Sequence, residues 1–364
     1  MTPSRAGSNG TVSLGSRSQD SGSRGPGKAR QRSVRAKAPG KINVSFEVGP
    51  LREDGYHPVA SAYLAVSLYE EVTVRSRLEP GVGVSLRYAP DGLAAGPASS
   101  DSSGSSGSDS SAGPEEQALL SIPLDHNNLV ARAANLMADL SEHPTGVDIE
   151  ILKRVPVAGG MGGGSADAAA TLLACDALWE AGLSREELAH LAAELGADVP
   201  FALFGGAAIG LGVGEELSSA LAPRPFFWVL AAADFGLSTP SVFGTLDKLR
   251  TMHGERPEVP QAVNPLVLQA LRSGDAEALA AVVHNDLEPA ALSLSPGLAG
   301  TLRAARDAGA LAAVVSGSGP TVAALARDQV HAEDIADELR AGGLRVRAVH
   351  SPVHGAKIVS DVVH

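Results

Sequence analysis

Apolar and polar residues alternate along the first patterned segment of the chain. Ile42, Val44, Phe46 and Val48 are apolar and the residues between them are polar, which predicts a half-buried strand. The same criteria predict strands at 72–75, 84–88, 147–152, 226–232, 311–315, 321–326 and 344–350. Helical patterns occupy 128–140, 166–180, 184–196 and 332–341, and helices dominate 263–308. Strand-rich and helix-rich stretches are partly segregated, which favours an α+β fold over a doubly wound sheet.

Two low-complexity stretches interrupt this pattern. Residues 1–33 are rich in Ser, Gly and Arg, and residues 94–117 contain a long run of Ser, Gly and Asp. Neither stretch has enough apolar residues to offset the entropy lost on ordering it. The length of 364 residues suggests two or three domains, and the pattern favours two. We therefore predict a basic tail at 1–33, an N-terminal domain at 34–221 that carries an insert at 94–117, and a C-terminal domain at 222–364.

The net charge of −12 is unevenly distributed. Eight basic residues and one acidic residue lie between Arg5 and Lys37, so the rest of the chain is distinctly acidic. An acidic body argues against general nucleic-acid binding. The tail is predicted to be an unstructured extension, and contact with RNA or a membrane surface is the alternative.

Membrane insertion and disulfide bonding find no support in the sequence. No run of 18 or more apolar residues occurs, and the tail lacks the apolar segment of a secretory signal. The single cysteine, Cys175, excludes a disulfide framework and zinc sites built on cysteine pairs. We expect a cytoplasmic protein.

The segment 156–168, Pro-Val-Ala-Gly-Gly-Met-Gly-Gly-Gly-Ser-Ala-Asp-Ala, predicts a phosphate-binding loop. Five glycines fall within 159–164, between a predicted strand and a predicted helix. Glycine lets the backbone approach an anion closely, and a helix start offers unpaired N–H groups and the positive end of its dipole. A plain turn would not need so many glycines. No Gly-Lys-Ser/Thr follows and no register gives Gly-x-Gly-x-x-Gly, so the P-loop, dinucleotide and protein-kinase patterns are not met.

Lys41 and Asp198 are candidates for the chemistry beside that loop. A lysine facing a phosphate site can orient and neutralise a phosphoryl group, although a lone lysine is more often a solvated surface residue. A carboxylate can accept the proton of an attacking hydroxyl group, although an isolated aspartate next to Gly196 and Pro200 is more often a turn residue.

Two further segments carry weaker signals. Arg-Glu-Asp-Gly-Tyr-His at 52–57 contains a turn, and its aromatic ring with a hydrogen-bonding neighbour suits a nucleobase. Tyr56 and His57 also fit a half-buried turn aromatic and a structural histidine. Val-Ser-Gly-Ser-Gly-Pro-Thr at 315–321 is typical of a turn between two apolar strands.

Three of these segments resemble, in order, the three motifs of the GHMP kinase superfamily. Residues 38–43 resemble the first motif and residues 315–321 the third. Residues 156–166 resemble the second, Pro-x-x-x-Gly-Leu-Gly-Ser-Ser-Ala, with Met161 in place of leucine and Gly164 in place of the first serine. Gly-Gly-Gly-Ser at 162–165, Asp-Gly-Tyr-His at 54–57 and Gly-Ala-Asp-Val-Pro at 196–200 resemble the branch that acts on a cytidyl diphosphate sugar alcohol. The resemblance covers nearly all of residues 34–364.

This resemblance implies a fold and a reaction. The fold is a two-domain α+β GHMP kinase fold, with a ribosomal-S5-like N-terminal domain and a ferredoxin-like C-terminal domain. The reaction is in-line transfer of a phosphoryl group from ATP, with Mg²⁺, to the 2-hydroxyl group of the sugar alcohol in the non-mevalonate isoprenoid pathway. A monomer or a homodimer is expected.

The resemblance also implies roles for individual residues. Asp198 is the general base and Lys41 the catalytic cation. The ATP-binding residues are Pro156, Val157, Ala158, Gly159, Gly160, Met161, Gly162, Gly163, Gly164, Ser165 and Ala166, with Ser165 the candidate magnesium ligand. The substrate-binding residues are Asn43, Tyr56, His57, Phe243, Gly317, Ser318 and Gly319. Tyr56 stacks on the cytosine, His57 hydrogen-bonds it, and Phe243 forms the other wall unless it is a core residue.

Two alternatives remain. The first is another GHMP kinase, of the homoserine or mevalonate type, and Asp-Gly-Tyr-His at 54–57 argues against it because those substrates contain no nucleobase. The second is a non-catalytic nucleotide-binding protein on the same fold, and the presence of both Lys41 and Asp198 argues against that.

Overall fold

The computed structural model describes residues 31–94 and 122–363. The predicted tail up to residue 30 and the predicted insert from residue 95 onward lie outside the described residues. The described residues belong to one structural unit.

Eight strands form the first sheet. They are β1 (Arg32–Val48), β2 (Val59–Arg77), β3 (Val82–Tyr88), β4 (Gly146–Lys153), β5 (Ala207–Leu211), β6 (Glu216–Ala220), β8 (His284–Asn285) and β12 (Lys357–Val363). The main path runs β12-β1-β2-β4-β3, with β5 beside β2, β6 beside β5 and β8 beside β1. Only the β3–β4 and β1–β8 pairs of this sheet are parallel.

Four helices cover one face of this sheet. They are α1 (Leu129–Leu140), α2 (Gly163–Trp179), α3 (Arg185–Leu195) and α4 (Asp198–Phe204). Their apolar faces form one buried cluster with β1, β2 and β4. Ser184 and Glu187 form a capping box at the start of α3. The prediction that α2 begins at residue 166 was wrong, because the glycines at 163 and 164 are already helical. Packing of this first turn outweighs the low helix propensity of glycine.

The polar side of β1 is buried, contrary to the half-buried prediction. Asn43 and Ser45 are both inaccessible to solvent. Their polar groups are paired, since the Asn43 amide donates to Ser61 Oγ (2.8 Å), which donates to the carbonyl of Ser45 (2.9 Å). The 315–319 turn covers this side, where Ser316 Oγ accepts from the Asn43 backbone N–H. Burial of a polar strand face is tolerated when its groups find such partners.

The second sheet is entirely antiparallel. Its strands are β7 (Phe226–Ala232), β9 (Ala312–Val315), β10 (Val322–Ala326) and β11 (Arg345–Ser351), in the order β11-β7-β10-β9. The helices of this half are α5 (Thr239–His253), α6 (Pro265–Ser273), α7 (Ala276–Ala280), α8 (Glu288–Leu294), α9 (Leu298–Asp307) and α10 (Gln329–Ala341). This strand order is that of a ferredoxin-like unit.

The two sheets share a core. Trp228 and Leu230 of β7 lie in the same buried cluster as Ile42 of β1 and Leu64 of β2. The opposite face of the second sheet packs against α5, α8, α9 and α10. The shared core fixes the loops at the ends of both sheets relative to each other, and the α+β fold class is confirmed.

The strand at 344–350 was predicted to be the last, but β12 follows it. β12 pairs antiparallel with β1, so it belongs to the first sheet although it follows residue 222 in the chain. Its sequence, Lys-Ile-Val-Ser-Asp-Val-Val, shows no alternation because most of both faces is exposed. An ion pair between Arg32 and Asp361 (2.7 Å) reinforces the pairing. The domain boundary at 221/222 stays a prediction. Among the described residues, no helix has the length and apolar character needed to span a membrane.

Candidate active site

A cleft of about 1080 Å³ brings most of the predicted site residues together. Of the predicted residues, those that line it are Lys41, Tyr56, His57, the whole of 156–165, Asp198, Phe243, Gly317 and Ser318. Asn43, Ala166 and Gly319 do not line it. Asn43 and Ala166 are fully buried. The cleft therefore collects segments that are far apart in sequence.

The glycine-rich loop takes a left-handed backbone conformation, which favours glycine, at two of its glycines. Gly160 and Gly162 have φ angles of +72° and +66°. A Cβ atom on Gly160 would stand 2.1 Å from the carbonyl oxygen of Ser316, so the loop and the 315–319 turn touch backbone to backbone. Ser316 Oγ also donates to the carbonyl of Gly160 (3.2 Å). The glycine-rich loop and the 315–319 turn thus form one wall of the cleft.

The first turn of α2 is built from the loop itself. Gly162 is the N-terminal cap residue and provides no side-chain cap, so the first N–H groups of this 17-residue helix stay available. These groups and the helix dipole suit a phosphate group in the cleft.

Lys41 stands beside this loop and next to Asp198. Lys41 Nζ lies 3.7 Å from Asp198 Oδ2 and donates to Asn43 Oδ1 at 2.7 Å. Its backbone N–H donates to the carbonyl of Met161 (2.9 Å), which ties β1 to the loop. Asp198 is the first residue of α4, two residues after Gly196 caps the end of α3. The side chain of Lys41 is 11% exposed and that of Asp198 is 32% exposed, so the carboxylate is the more accessible partner.

Tyr63 lies behind this pair. Lys41 Nζ is 5.3 Å from the centre of its ring, within the range of a cation–π contact. Burial, and then the negative charge of Asp198, raise the pKa of the Tyr63 phenol. The ring therefore stays neutral and adds no charge beside Lys41.

A second part of the cleft is aromatic. The rings of His57 and Phe243 have centroids 5.0 Å apart with an interplanar angle of 35°. Phe46 contacts Phe243 edge-on, at 6.5 Å. Tyr56 is 63% exposed at the mouth of the cleft. His57 Nε2 is bonded to Asp247 Oδ1 at 2.9 Å, and this aspartate of α5 was not predicted from the sequence.

Comparison with known proteins decides the family. The model described as the GHMP kinases N terminal domain matches residues 128–206, and the GHMP kinases C terminal model matches residues 267–343. The 4-diphosphocytidyl-2-C-methyl-D-erythritol kinase of Arthrobacter sp. (strain FB24) is 58% identical over 337 residues, which covers 93% of this chain and 98% of the relative. The chain belongs to the GHMP kinase family. It is an ATP-dependent small-molecule kinase, as the motifs predicted.

Solved structures agree with this assignment. A crystal structure of 4-(cytidine 5'-diphospho)-2C-methyl-D-erythritol kinase is similar with a TM-score of 0.66 and 30% identity, covering 88% of this chain and 100% of that one. The homoserine kinase from Cytophaga hutchinsonii gives a TM-score of 0.63 at 21% identity, covering 90% and 97%. The second likeness shows the GHMP kinase fold alone.

This GHMP kinase also contains a buried ionic cluster that the sequence analysis missed. Lys153 Nζ lies 2.5 Å from Glu70 Oε1 and 2.7 Å from Asp167 Oδ2, and all three side chains are almost fully buried. Glu70 also accepts the backbone N–H of Arg154 (2.8 Å), where β4 leads into the glycine loop. Asp167 Oδ1 has no hydrogen-bond partner among the described residues. The cluster joins β2, β4 and α2 beneath the loop.

Gly163 makes this arrangement possible. A Cβ atom there would lie 3.1 Å from Glu70 Oε1 and 3.2 Å from Lys153 Nζ, so a glycine lets the first turn of α2 rest on the ion pair. Burial raises the pKa of the Glu70 carboxyl to about 8, against the opposing attraction of Lys153. Burial alone would lower the pKa of Lys153, but the charges of Asp167 and Glu70 outweigh it and raise that pKa.

A signal for this cluster was present in the sequence. Lys153 continues the apolar positions of Val147, Ile149 and Ile151 at the spacing of two, so it had to face the core. A charged residue at a core-facing strand position calls for a buried partner of opposite charge. The pattern could not identify that partner, because Glu70 and Asp167 lie on other elements.

Proposed function

We propose that this kinase transfers the γ-phosphoryl group of ATP to the 2-hydroxyl group of 4-diphosphocytidyl-2-C-methyl-D-erythritol, in the non-mevalonate pathway to isoprenoid precursors. The observation that carries the proposal is the presence, in one cleft, of a phosphate-binding loop, a Lys41–Asp198 pair and a His57–Phe243 ring pair. The relative from Arthrobacter, which carries this substrate in its name, supports it at 58% identity.

The glycine-rich loop and the start of α2 are suited to the triphosphate of ATP. Backbone N–H groups at 163–165 would donate to phosphate oxygens, as helix N-termini do in other phosphate sites. Residues 156–162 and Ala166 shape the loop and its helix, with Ala166 packed in the core beneath it. The proposal thus assigns the ATP-binding role to 156–166 as a unit.

The residues present fit a magnesium ion. Among the described residues, no group of three acidic, histidine or cysteine side chains forms a metal cage. Magnesium bound with a nucleotide needs few protein ligands, because phosphates and water supply the others. The Ser165 hydroxyl lines the cleft in the first turn of α2, and we assign it as a ligand. Bound magnesium would neutralise charge on the transferring phosphoryl group.

Asp198 and Lys41 carry the proposed chemistry. Asp198 Oδ2 accepts the proton of the substrate 2-hydroxyl group while the hydroxyl oxygen attacks the γ-phosphorus of ATP. The bond between that phosphorus and the oxygen that bridges it to ADP breaks at the same time. Lys41 holds a positive charge beside the reacting groups and orients the carboxylate. Asn43 keeps the ammonium group in place from behind.

The aromatic part of the cleft is the proposed cytosine site. Tyr56 and Phe243 offer ring faces, and His57 offers a hydrogen-bonding edge. Gly317 and Ser318 line the cleft where the 315–319 turn meets the loop, and Ser318 Oγ is bonded to Thr239 Oγ1 at 3.0 Å. This hydrogen bond links the 315–319 turn to the start of α5. Gly319 acts through the shape of the turn.

The direct test is ADP release from ATP and magnesium with 4-diphosphocytidyl-2-C-methyl-D-erythritol, run in parallel with homoserine, mevalonate and 2-C-methyl-D-erythritol 4-phosphate. Turnover of the cytidyl substrate alone is expected. Activity on another alcohol instead would retain the kinase and overturn the substrate. Absence of ADP release with all four compounds would favour a non-catalytic nucleotide-binding protein.

Several expectations stand beside this proposal and await their own measurements. They are a monomeric or homodimeric state, a cytoplasmic location and no binding of nucleic acid. Analytical ultracentrifugation of the full chain tests the first of them.

A further inference from the structure

The side chain of Asp247 on α5 is bonded to His57. His57 Nε2 lies 2.9 Å from Asp247 Oδ1, and no other ion pair of Asp247 occurs within residues 31–94 and 122–363. The His57 side chain is 5% exposed and that of Asp247 is 31% exposed. Asp247 therefore holds His57 in a largely enclosed position. Asp247 itself also lines the cleft.

Helix α5 presents Asp247 and Phe243 as a unit. They are four residues apart and so lie on the same helical face. Phe243 packs on the His57 ring while Asp247 bonds its edge. One helix thus contacts both the face and the edge of the imidazole.

The helix itself is anchored to β1. Arg250, one turn further along, donates to the carbonyls of Val48 (2.7 Å) and Gly49 (3.1 Å) and pairs with Asp286 (3.1 Å). Val48 and Gly49 immediately precede the loop that carries His57. The distance between Asp247 and His57 is therefore set by a rigid connection.

The chemistry of this bond determines what His57 offers to a ligand. An ionised carboxylate only accepts, so Nε2 must carry a hydrogen atom. In the neutral ring Nδ1 is then a hydrogen-bond acceptor. An acceptor complements the exocyclic amine of cytosine and repels the carbonyl oxygen that uracil has at the same position.

We propose that Asp247 is a positioning residue that fixes the tautomer of His57 and thereby selects cytidine over uridine nucleotides. The inference rests on the proposed function, because it concerns the same cytosine site. It adds a residue outside the motifs to the determinants of specificity.

The first test uses the unmodified protein. Nitrogen-15 NMR of the imidazoles at pH 8 is expected to show His57 with hydrogen on Nε2, its signals assigned by their absence in His57→Gln. Hydrogen on Nδ1 in the neutral ring would overturn the proposal without any substitution at Asp247.

The second test measures base preference. Calorimetric affinities for CDP and UDP are compared in the wild type and in Asp247→Asn, with a non-hydrolysable ATP analogue saturating the loop. Asparagine matches aspartate in shape but can also donate, so it leaves the tautomer unspecified. The wild type is expected to prefer CDP, and the variant to lose about tenfold of that preference. Lys248→Gln removes a charge from an exposed neighbour on α5 and is expected to keep the wild-type ratio.

Failure of this inference and failure of the proposed function would give different results. An unchanged CDP/UDP ratio in Asp247→Asn, with a wild-type melting curve, would overturn this inference even if the cytidyl substrate is phosphorylated. Absence of turnover with that substrate would overturn the proposed function, while the nucleotide affinities would still report on Asp247. The KM for ATP is expected to be unchanged in the variant, which a general distortion of the cleft would not preserve.

Discussion

Two lysines line the same cleft and are held in opposite ways. Lys41 has a neutral anchor, Asn43, and a single carboxylate at 3.7 Å. Lys153 is closed in by two carboxylates at 2.5 and 2.7 Å and is almost fully buried. The charge of Lys153 is therefore saturated by the protein, whereas that of Lys41 remains available to a ligand. The number of neighbouring carboxyl groups and their distances therefore distinguish a structural lysine, Lys153, from a lysine that can bind a ligand, Lys41.

The largest effect is expected from removing the base beside Lys41. Asp198→Asn should lower kcat by about 10²- to 10⁴-fold, because the amide cannot accept the hydroxyl proton. Initial rates at saturating ATP measure this. Glu194→Gln, the same change at an exposed site on α3, serves as the control. Normal turnover in Asp198→Asn would remove this residue from the mechanism.

The same substitution at both lysines sharpens the comparison. Lys153→Met should lower the free energy of unfolding by about 3–5 kcal/mol, because the buried carboxyl groups of Glu70 and Asp167 lose the cation that they share. Lys41→Met should be inactive and yet lose less stability, about 1–3 kcal/mol, since it leaves only the neutral Asn43 amide unpaired and its ion pair with Asp198 is partly exposed. Urea denaturation of both variants measures the difference. Equal losses of stability would contradict the distinction.

The neutral anchor of Lys41 can be broken on its own. Asn43→Ala removes the 2.7 Å contact and leaves Ser61 without its donor. We expect a loss of about 1–3 kcal/mol in stability and a fall in kcat of about tenfold, with little change in the KM for ATP. Steady-state kinetics separate these effects. A fall confined to substrate KM would instead support the direct substrate contact predicted from the sequence.

The last effect concerns stability alone and is a dependence on pH from the buried cluster. Burial raises the pKa of Glu70 to about 8 from an ordinary value of 4.5, so the folded protein binds this proton more tightly than the unfolded chain. Stability from this group is complete below pH 4.5 and is lost as pH rises towards 8, by at most about 1.4 kcal/mol per pH unit. In Glu70→Gln this loss disappears.

Denaturation of the wild type and Glu70→Gln at several pH values tests this assignment. The stability of the wild type relative to the variant should decrease from pH 5 to pH 8 and then level off. A constant difference over that range would mean that Glu70 is ionised throughout. The charge of Lys153, whose pKa is raised, stays unchanged over the same range.

The sequence revealed the parts of the site that lie in contiguous segments. The loop at 156–165, Lys41 and Asp198 are each embedded in a short pattern, and the structure brings them into one cleft. Asp247 and the Glu70–Lys153–Asp167 cluster were missed, because each depends on partners that lie on other elements of the fold. Local patterns cannot identify such pairs.

The fold shows the same division. Strands with an apolar face, such as β7 at Phe226–Ala232, were predicted to the residue. The burial of the polar side of β1 and the presence of β12 were not predicted. Hydrogen-bonded partners make the first possible, and pairing with β1 holds β12 in the sheet. Burial and pairing of these segments are decided by tertiary contacts, which override local pattern.

The pairing of β12 with β1 has a consequence for synthesis of the protein. Residues 357–363 complete the edge of a sheet whose opening strand starts at Arg32. While the ribosome is still making the intervening residues, the outer edge of β1 exposes unpaired backbone groups that invite association with other nascent chains. A fragment ending at residue 221 would keep that open edge permanently. The outer edge of β1 is therefore paired only once residues 357–363 have been made.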